Sequence, residues 1–181
     1  MDLRFEKVTL ENPNRLLQLR RLYEASFPVE ERRSWESICR KLADGEREYS
    51  MSAVIMPSGC FAGLISMWRF PECVYVEHFA IGEELRGSGI GGHVMDEVVR
   101  SAGNLPVVLE AEMPETGEMA RRRIGFYRRH GFVACEDFAY VQPSYETGLP
   151  LMPLMLMVSG QVASVENIAL RIHRRVYGAE W

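Results

Sequence analysis

The feature that most constrains this chain is a glycine-rich turn, Gly87-Ser88-Gly89-Ile90-Gly91-Gly92, that opens directly into an amphipathic helix. Glycine lets the backbone take left-handed angles and lets a ligand approach the main chain closely. In the helix that follows, Ile90, Val94, Val98, Met95 and Val99 form an apolar face. His93, Asp96, Glu97 and Arg100 form the polar one. The first amides of such a helix have no partner within it, and the helix dipole places roughly half a positive charge there. A phosphate or pyrophosphate suits that terminus. Arg86 adds a cation able to grip phosphate oxygens. Strands are expected on either side, at Cys73 to Ile81 and Pro106 to Glu112, so the turn belongs to a right-handed parallel crossover.

The rest of the chain fills in around that crossover. Arg4 to Leu10 reads as a first strand. Asn12-Pro13 offers a cap and a helix-starting proline, and Leu16, Leu19, Leu22, Tyr23 and Phe27 keep helical spacing up to Pro28. Ser34 is placed to cap a second helix ending near Ala43. Strands at Tyr49 to Met56 and Cys60 to Trp68 flank Pro57-Ser58-Gly59, a hairpin signal. Beyond the crossover, a helix at Met119 to His130 stops at Gly131. Strands at Phe132 to Val141 and Leu151 to Val158 precede a final amphipathic helix, Val162 to Tyr177. The order βααβββαβαββα implies a mixed α/β (α+β) architecture with helices on both faces of the sheet.

Length and composition narrow the function classes. The 181 residues fit one domain, taken here as 1–181, and suffice for a core without disulfides. A net charge of −4 argues against a chain-wide nucleic-acid binder. Cys39, Cys60, Cys73 and Cys135 show no close metal or redox spacing, so no metal is expected and reduced thiols in a cytoplasmic protein are. The charged N-terminus lacks the apolar stretch of a signal peptide. The most apolar run, Leu149 to Val158, is about half a membrane span and holds two prolines, so it reads as a core strand.

Gly87, Gly89 and Gly92 also spell the G-x-G-x-x-G pattern of dinucleotide-binding proteins, with Glu110 about where a ribose-binding acid belongs. In that pattern the turn follows its strand at once and the strand begins the domain. Here Gly82-Glu83-Glu84-Leu85-Arg86 intervenes, and three strands and two helices come first.

A different resemblance covers more residues. Glu77-His78-Phe79-Ala80-Ile81, the acidic connection Gly82-Glu83-Glu84-Leu85, and Arg86-Gly87-Ser88-Gly89-Ile90-Gly91 resemble the central motif of the GNAT superfamily of acyl-CoA-dependent N-acyltransferases. Arg86, Gly89 and Gly91 take its defining positions. Gly125-Phe126-Tyr127-Arg128-Arg129-His130-Gly131-Phe132 resembles the family's second signature. The resemblance is good from about Tyr75 to Val133. It implies a mixed, mostly antiparallel central sheet in which two parallel strands splay apart. Acetyl-CoA would enter there as acyl donor, its pantetheine arm along Phe79, Ala80 and Ile81, and its pyrophosphate at Arg86, Gly87, Ser88, Gly89, Ile90, Gly91 and Gly92.

The chemistry this implies is transfer of an acyl group, expected to be acetyl, to a primary amine by direct attack. The amine must lose a proton and the departing thiolate must gain one, work for positioned acid–base groups. Tyr127 takes the family's acid position and also lies on an apolar stripe with Ala120 and Ile124. The candidate bases are Glu77 and Glu110, close to level, with His78 behind them. Glu112 shares a strand face with Glu110. Carboxylates in otherwise apolar strands either face a wet cleft or pair with arginines. In a cleft, their pKa is expected to rise toward the range a base needs. Arg123 or Arg128 is the candidate for contact with the donor's phosphates, although Ala120 and Arg123 depart from the family's usual residues. Expected partners are acyl-CoA and a small amine or peptide, with no nucleic acid or membrane, and a homodimer left open. An acyl-CoA sensor without catalysis and a nicotinamide-dependent oxidoreductase are the alternatives.

Overall fold

The structure, a computed structural model, describes residues 2–179. Residue contacts divide the chain into two compact units, Met1–Arg69 with Val76–Glu97, and Phe70–Tyr75 with Val98–Trp181. The strand and the helix on either side of the glycine turn each contribute to both units. No single cut in the sequence separates them, which is why no linker is visible in it.

The first unit holds β1 (Arg4–Lys7), α1 (Pro13–Ser26), α2 (Trp35–Ala43), β2 (Tyr49–Ile55), β3 (Phe61–Arg69), most of β4 (Val74–Ile81) and the start of α3 (Ile90–Ala102). Its strand order is β1-β2-β3-β4. The expected caps are in place. The Asn12 side chain accepts from the Arg15 amide with Pro13 in the first turn, and the Ser34 hydroxyl accepts from the Ser37 amide. The β2–β3 hairpin pairs Tyr49 with Trp68, and its register shifts at Val54/Ile55, beside the turn. Leu19, Tyr23, Ile38, Met51, Leu64, Ile65 and Trp68 belong to its fully buried core.

The second unit holds the first residues of β4, then β5 (Val107–Glu112), α4 (Glu118–Arg129), β6 (Val133–Ala134), β7 (Tyr140–Gln142), β8 (Met152–Ser159) and α5 (Val165–Ile172). Its order is β4-β5-β8-β6, with β7 also on β8. The Val74 amide donates to the Pro106 carbonyl, so β4 enters beside the start of β5. The register pairs β1–β2, β2–β3, β5–β8, β6–β8 and β7–β8 are antiparallel. β4 and β5, joined through α3, form the one parallel pair among the described residues. The fold class is the mixed sheet with flanking helices that the sequence implies.

Three elements differ from expectation. β1 stops at Lys7, although Val8 still donates to Met51, because the chain turns at Leu10-Glu11. The strand expected over 132–141 is two short strands on the same partner, broken by a turn at Cys135-Glu136-Asp137, where the Phe138 amide donates to Cys135. Acidic side chains there favour a turn over a continuous ladder. The last helix is α-helical only to Ile172 and then widens into a π-helical turn, His173–Tyr177, ended by Gly178 in the left-handed region. No described helix is long and apolar enough to cross a membrane.

Candidate active site

In the first unit, β4 runs into a 3₁₀ turn, Glu83–Leu85, and then the glycine turn. Gly87 and Gly89 have φ of +79° and +85°, angles that L side chains rarely adopt. A Cβ built on either glycine meets nothing within 4 Å. Their glycine requirement therefore comes from backbone conformation, and the space in front of them is open. Arg86, Gly87, Ser88 and Gly89 are exposed, while Ile90 is buried and anchors the start of α3. The Arg86 side chain donates to the Ile81 carbonyl at 3.3 Å, which ties the turn to the end of β4. Ser88 Oγ donates to the Leu85 carbonyl. The His93 amide donates to Gly89 at 3.2 Å and starts the helical ladder, so the amides just before it face outward by helix geometry. Amides with no helical partner, a helix terminus and an exposed arginine thus meet at this turn, while the Arg86 and Ser88 amides donate to Glu83 and Leu85. The intervening 3₁₀ turn is the feature that sets it apart from a dinucleotide fingerprint.

At the end of β4, Ala80 and Ile81 are buried and Phe79 is half-buried. β3 approaches closely here. A Cβ on Gly63 would sit 2.5 Å from the Ala80 carbonyl oxygen. The Gly82 amide donates to Ala62 at 2.9 Å.

Glu77 lies deeper along β4, in a buried ion pair. Arg33 Nε donates to its Oε1 at 2.7 Å, and Trp68 Nε1 donates to Oε2 at 2.9 Å. The Glu77 side chain has no exposed surface and the Arg33 side chain 9%. Burial pushes the Glu77 carboxyl up, but the Arg33 charge and the two hydrogen-bond donors outweigh it and hold the group below its usual value. This reverses the expectation of a raised pKa for Glu77. His78 is also buried. Its Nε2 lies 3.1 Å from the Glu31 carbonyl, which can only accept, so Nε2 carries the proton. Nδ1 meets Ser66 Oγ at 3.3 Å and comes within 4.0 Å of Glu77 Oε2, although neighbouring side chains of a strand leave from opposite faces. Burial holds the His78 pKa below its ordinary value.

In the second unit, Tyr127 sits in the last turn of α4, its ring edge-on to Phe126 and Phe132. Burial raises its pKa to about 12, with Arg123 opposing and Glu112 adding to the shift. The hydroxyl therefore stays protonated throughout the neutral range. Arg123 is ion-paired with Glu112, and Arg128 with Glu136 at 3.2 Å. Both arginines offered for phosphate contact thus have carboxylate partners.

Glu110, the other predicted base, projects from β5 into a group of tyrosines. Tyr140 from β7 donates to its Oε1, and Tyr177 from the π turn donates to Oε2 at 2.8 Å. Tyr145 donates to the Tyr177 oxygen at 3.3 Å, and the Tyr75 hydroxyl lies 3.4 Å from it. Burial first, then the Glu110 charge, pushes the Tyr140 and Tyr177 pKa values well up. None of these tyrosines is a predicted site residue. No spacing links them, and the only available signal was a helix ending in an aromatic beyond its last core position.

Residues 16–132 match the model of the acetyltransferase (GNAT) family. Among solved structures, a Bacteroides thetaiotaomicron protein assigned to the GNAT family of acetyltransferases is 35% identical. The match spans 98% of this chain and 99% of that one, with a TM-score of 0.90. A spermidine N-acetyltransferase from Vibrio cholerae, in complex with CoA and spermine, is 12% identical over 86% of this chain and 94% of its own, with a TM-score of 0.64. A further GNAT-assigned protein, from Desulfovibrio desulfuricans, is 18% identical over 88% and 99%, with a TM-score of 0.60. At those lower identities the likeness is one of fold. No curated protein sequence matches significantly. The two signatures, the crossover that carries them and the close match along nearly the whole chain place it in the acetyltransferase (GNAT) family.

Proposed function

We propose that this protein transfers an acetyl group from acetyl-CoA to a primary amine by direct attack of the amine on the thioester. The observation that carries this reading is the glycine turn, where two left-handed glycines with open space before them lead into a helix terminus beside Arg86. The main chain of 86–92 would hold the pyrophosphate, and the β4 segment Phe79-Ala80-Ile81 would pair with the pantetheine arm.

In this reading Tyr127 is the acid. Its protonated hydroxyl donates to the sulfur as the C–S bond breaks and negative charge develops there. Glu110 is the base, taking a proton from the bound ammonium so that the free amine can attack. It is preferred to Glu77, whose carboxylate is committed to Arg33 and Trp68 inside the core. Glu112 is likewise committed to Arg123. A polyamine is one acceptor to try first, since the Vibrio cholerae relative of similar fold is a spermidine N-acetyltransferase. Aminoglycosides, amino acids and peptide N-termini belong in the same screen, read by release of free thiol.

The test of the donor site is Gly89→Glu, which puts a carboxylate and a strained φ where the pyrophosphate is expected. Calorimetry should show loss of acetyl-CoA binding in a protein that still melts cooperatively. Unchanged affinity in the folded variant would remove the proposal.

A further inference from the structure

Glu110 is not a lone carboxylate on a strand. Each of its oxygens accepts one phenolic hydrogen bond, Tyr140 on Oε1 and Tyr177 on Oε2. An ionised carboxylate has about four lone-pair sites, so two donors fix its plane and still leave each oxygen able to accept once more. Strong hydrogen bonds to an ionised acceptor are the usual means of holding a functional side chain in a single rotamer. The donors come from β7 and from the π-helical turn, neither of which carries a family signature. π turns of this kind are often found at functional sites because they re-aim one side chain within a helix. This one brings Tyr177 onto Glu110, where Tyr145 braces it by hydrogen bond and by ring contact, centroids 4.7 Å apart.

We propose that Tyr140 and Tyr177 are positioning residues for Glu110, and that the π turn His173–Tyr177 is therefore part of the catalytic centre. The inference rests on the reading of Glu110 as the base. Before attack an N–H bond of the ammonium breaks, its electron pair becomes the lone pair of the free amine that attacks the thioester, and an O–H bond forms on a Glu110 oxygen. The two phenols keep that oxygen's remaining lone pair directed at the substrate. The titratable groups around Glu110 within this unit include Tyr140 on β7, Tyr177 and His173 on the π turn, Tyr145 in the loop before β8, Tyr75 on β4, and Glu112 two residues along β5.

The infrared arm uses the whole protein and the proton as probe and needs no acceptor; the arm that reads acetyl transfer uses an amine that the acceptor screen has shown to be turned over. Difference infrared spectroscopy follows the carboxylate band through an acid titration, with Glu110→Gln identifying which band belongs to Glu110. Removing one phenolic hydroxyl by Tyr177→Phe should move the Glu110 midpoint up by about one pH unit, because a carboxylate that loses a donor holds its proton more tightly. Tyr140→Phe should do the same, and the double variant should move it further. Thermal melts confirm that each variant is folded. Identical midpoints in wild type and both single variants would overturn the proposal. Failure of the base reading has a different signature, namely Glu110→Gln retaining full acetyl transfer while the infrared shifts stay as described.

Discussion

Two side chains in the site region are decided by what touches them. Glu77 and Arg33 form an ion pair inside the core, so removing one partner leaves the other buried and uncompensated. Losses of about 3–5 kcal/mol are typical of that situation. Glu77→Gln should therefore destabilise the protein by roughly that amount in urea unfolding, with acetyl-CoA affinity near normal in the folded fraction. A stable variant with reduced turnover would instead return Glu77 to the list of bases. Tyr127 is the opposite case. Its ring packs between Phe126 and Phe132, and Phe preserves that packing. Tyr127→Phe should lower kcat by about 10²-fold, the low end for a positioned acid, and leave acetyl-CoA affinity alone. Wild-type turnover would show that the hydroxyl serves only packing.

At the scale of elements, most of the fold was legible because its signals are local. Asn12, Ser34, the Pro57-Ser58-Gly59 turn and the glycine turn each act within a few residues of themselves, and each stands where the sequence puts it. Long-range pairings were not legible. Arg33 and Glu77 are 44 residues apart, and Tyr177 and Glu110 67, so only the folded chain reveals either pair. The split of 132–141 into β6 and β7 is of the same kind, because the detour is visible only once both pieces are seen on β8. Gly63, an ordinary glycine in an apolar strand, belongs with the long-range features. The structure shows β4 passing so close that a methyl group would meet the Ala80 carbonyl at 2.5 Å. Gly63→Ala should push the end of β4 away from β3 and cost about 1–3 kcal/mol, the usual penalty of overpacking. It should also weaken acetyl-CoA binding, since the displaced residues are those proposed to pair with pantetheine. Full stability and affinity together would show that β4 yields without consequence.

For the molecule as a whole, stability against pH turns on buried groups such as His78. It joins α1 through Tyr23, the turn before α2 through the Glu31 carbonyl, and β3 through Ser66, all from its place on β4. Burial holds it neutral, with a folded pKa below the ordinary 6.5. The sign of the linkage follows. As pH falls through 6.5 the unfolded chain takes a proton on this residue before the folded protein does, so the unfolded state gains protons and stability drops. The drop starts near 6.5 and continues until folded His78 itself is protonated. Its slope approaches ~1.4 kcal/mol per pH unit for one such group. His173, also depressed by burial, adds to the same window. The Glu77 contribution behaves differently. It is complete above the usual carboxylate range and lost only as pH falls through its lowered folded value, well below the histidine window. Urea midpoints should therefore change little from pH 7.5 to 6.5 and fall from there to 5.5, with an unchanged m-value. His78→Asn, which cannot take up a proton, should be less stable at pH 7.5 but show a shallower slope, and adding His173→Asn should flatten it further. A His78→Asn slope equal to wild type would mean that the folded protein protonates His78 as readily as the unfolded chain does, and that this hub is not held neutral.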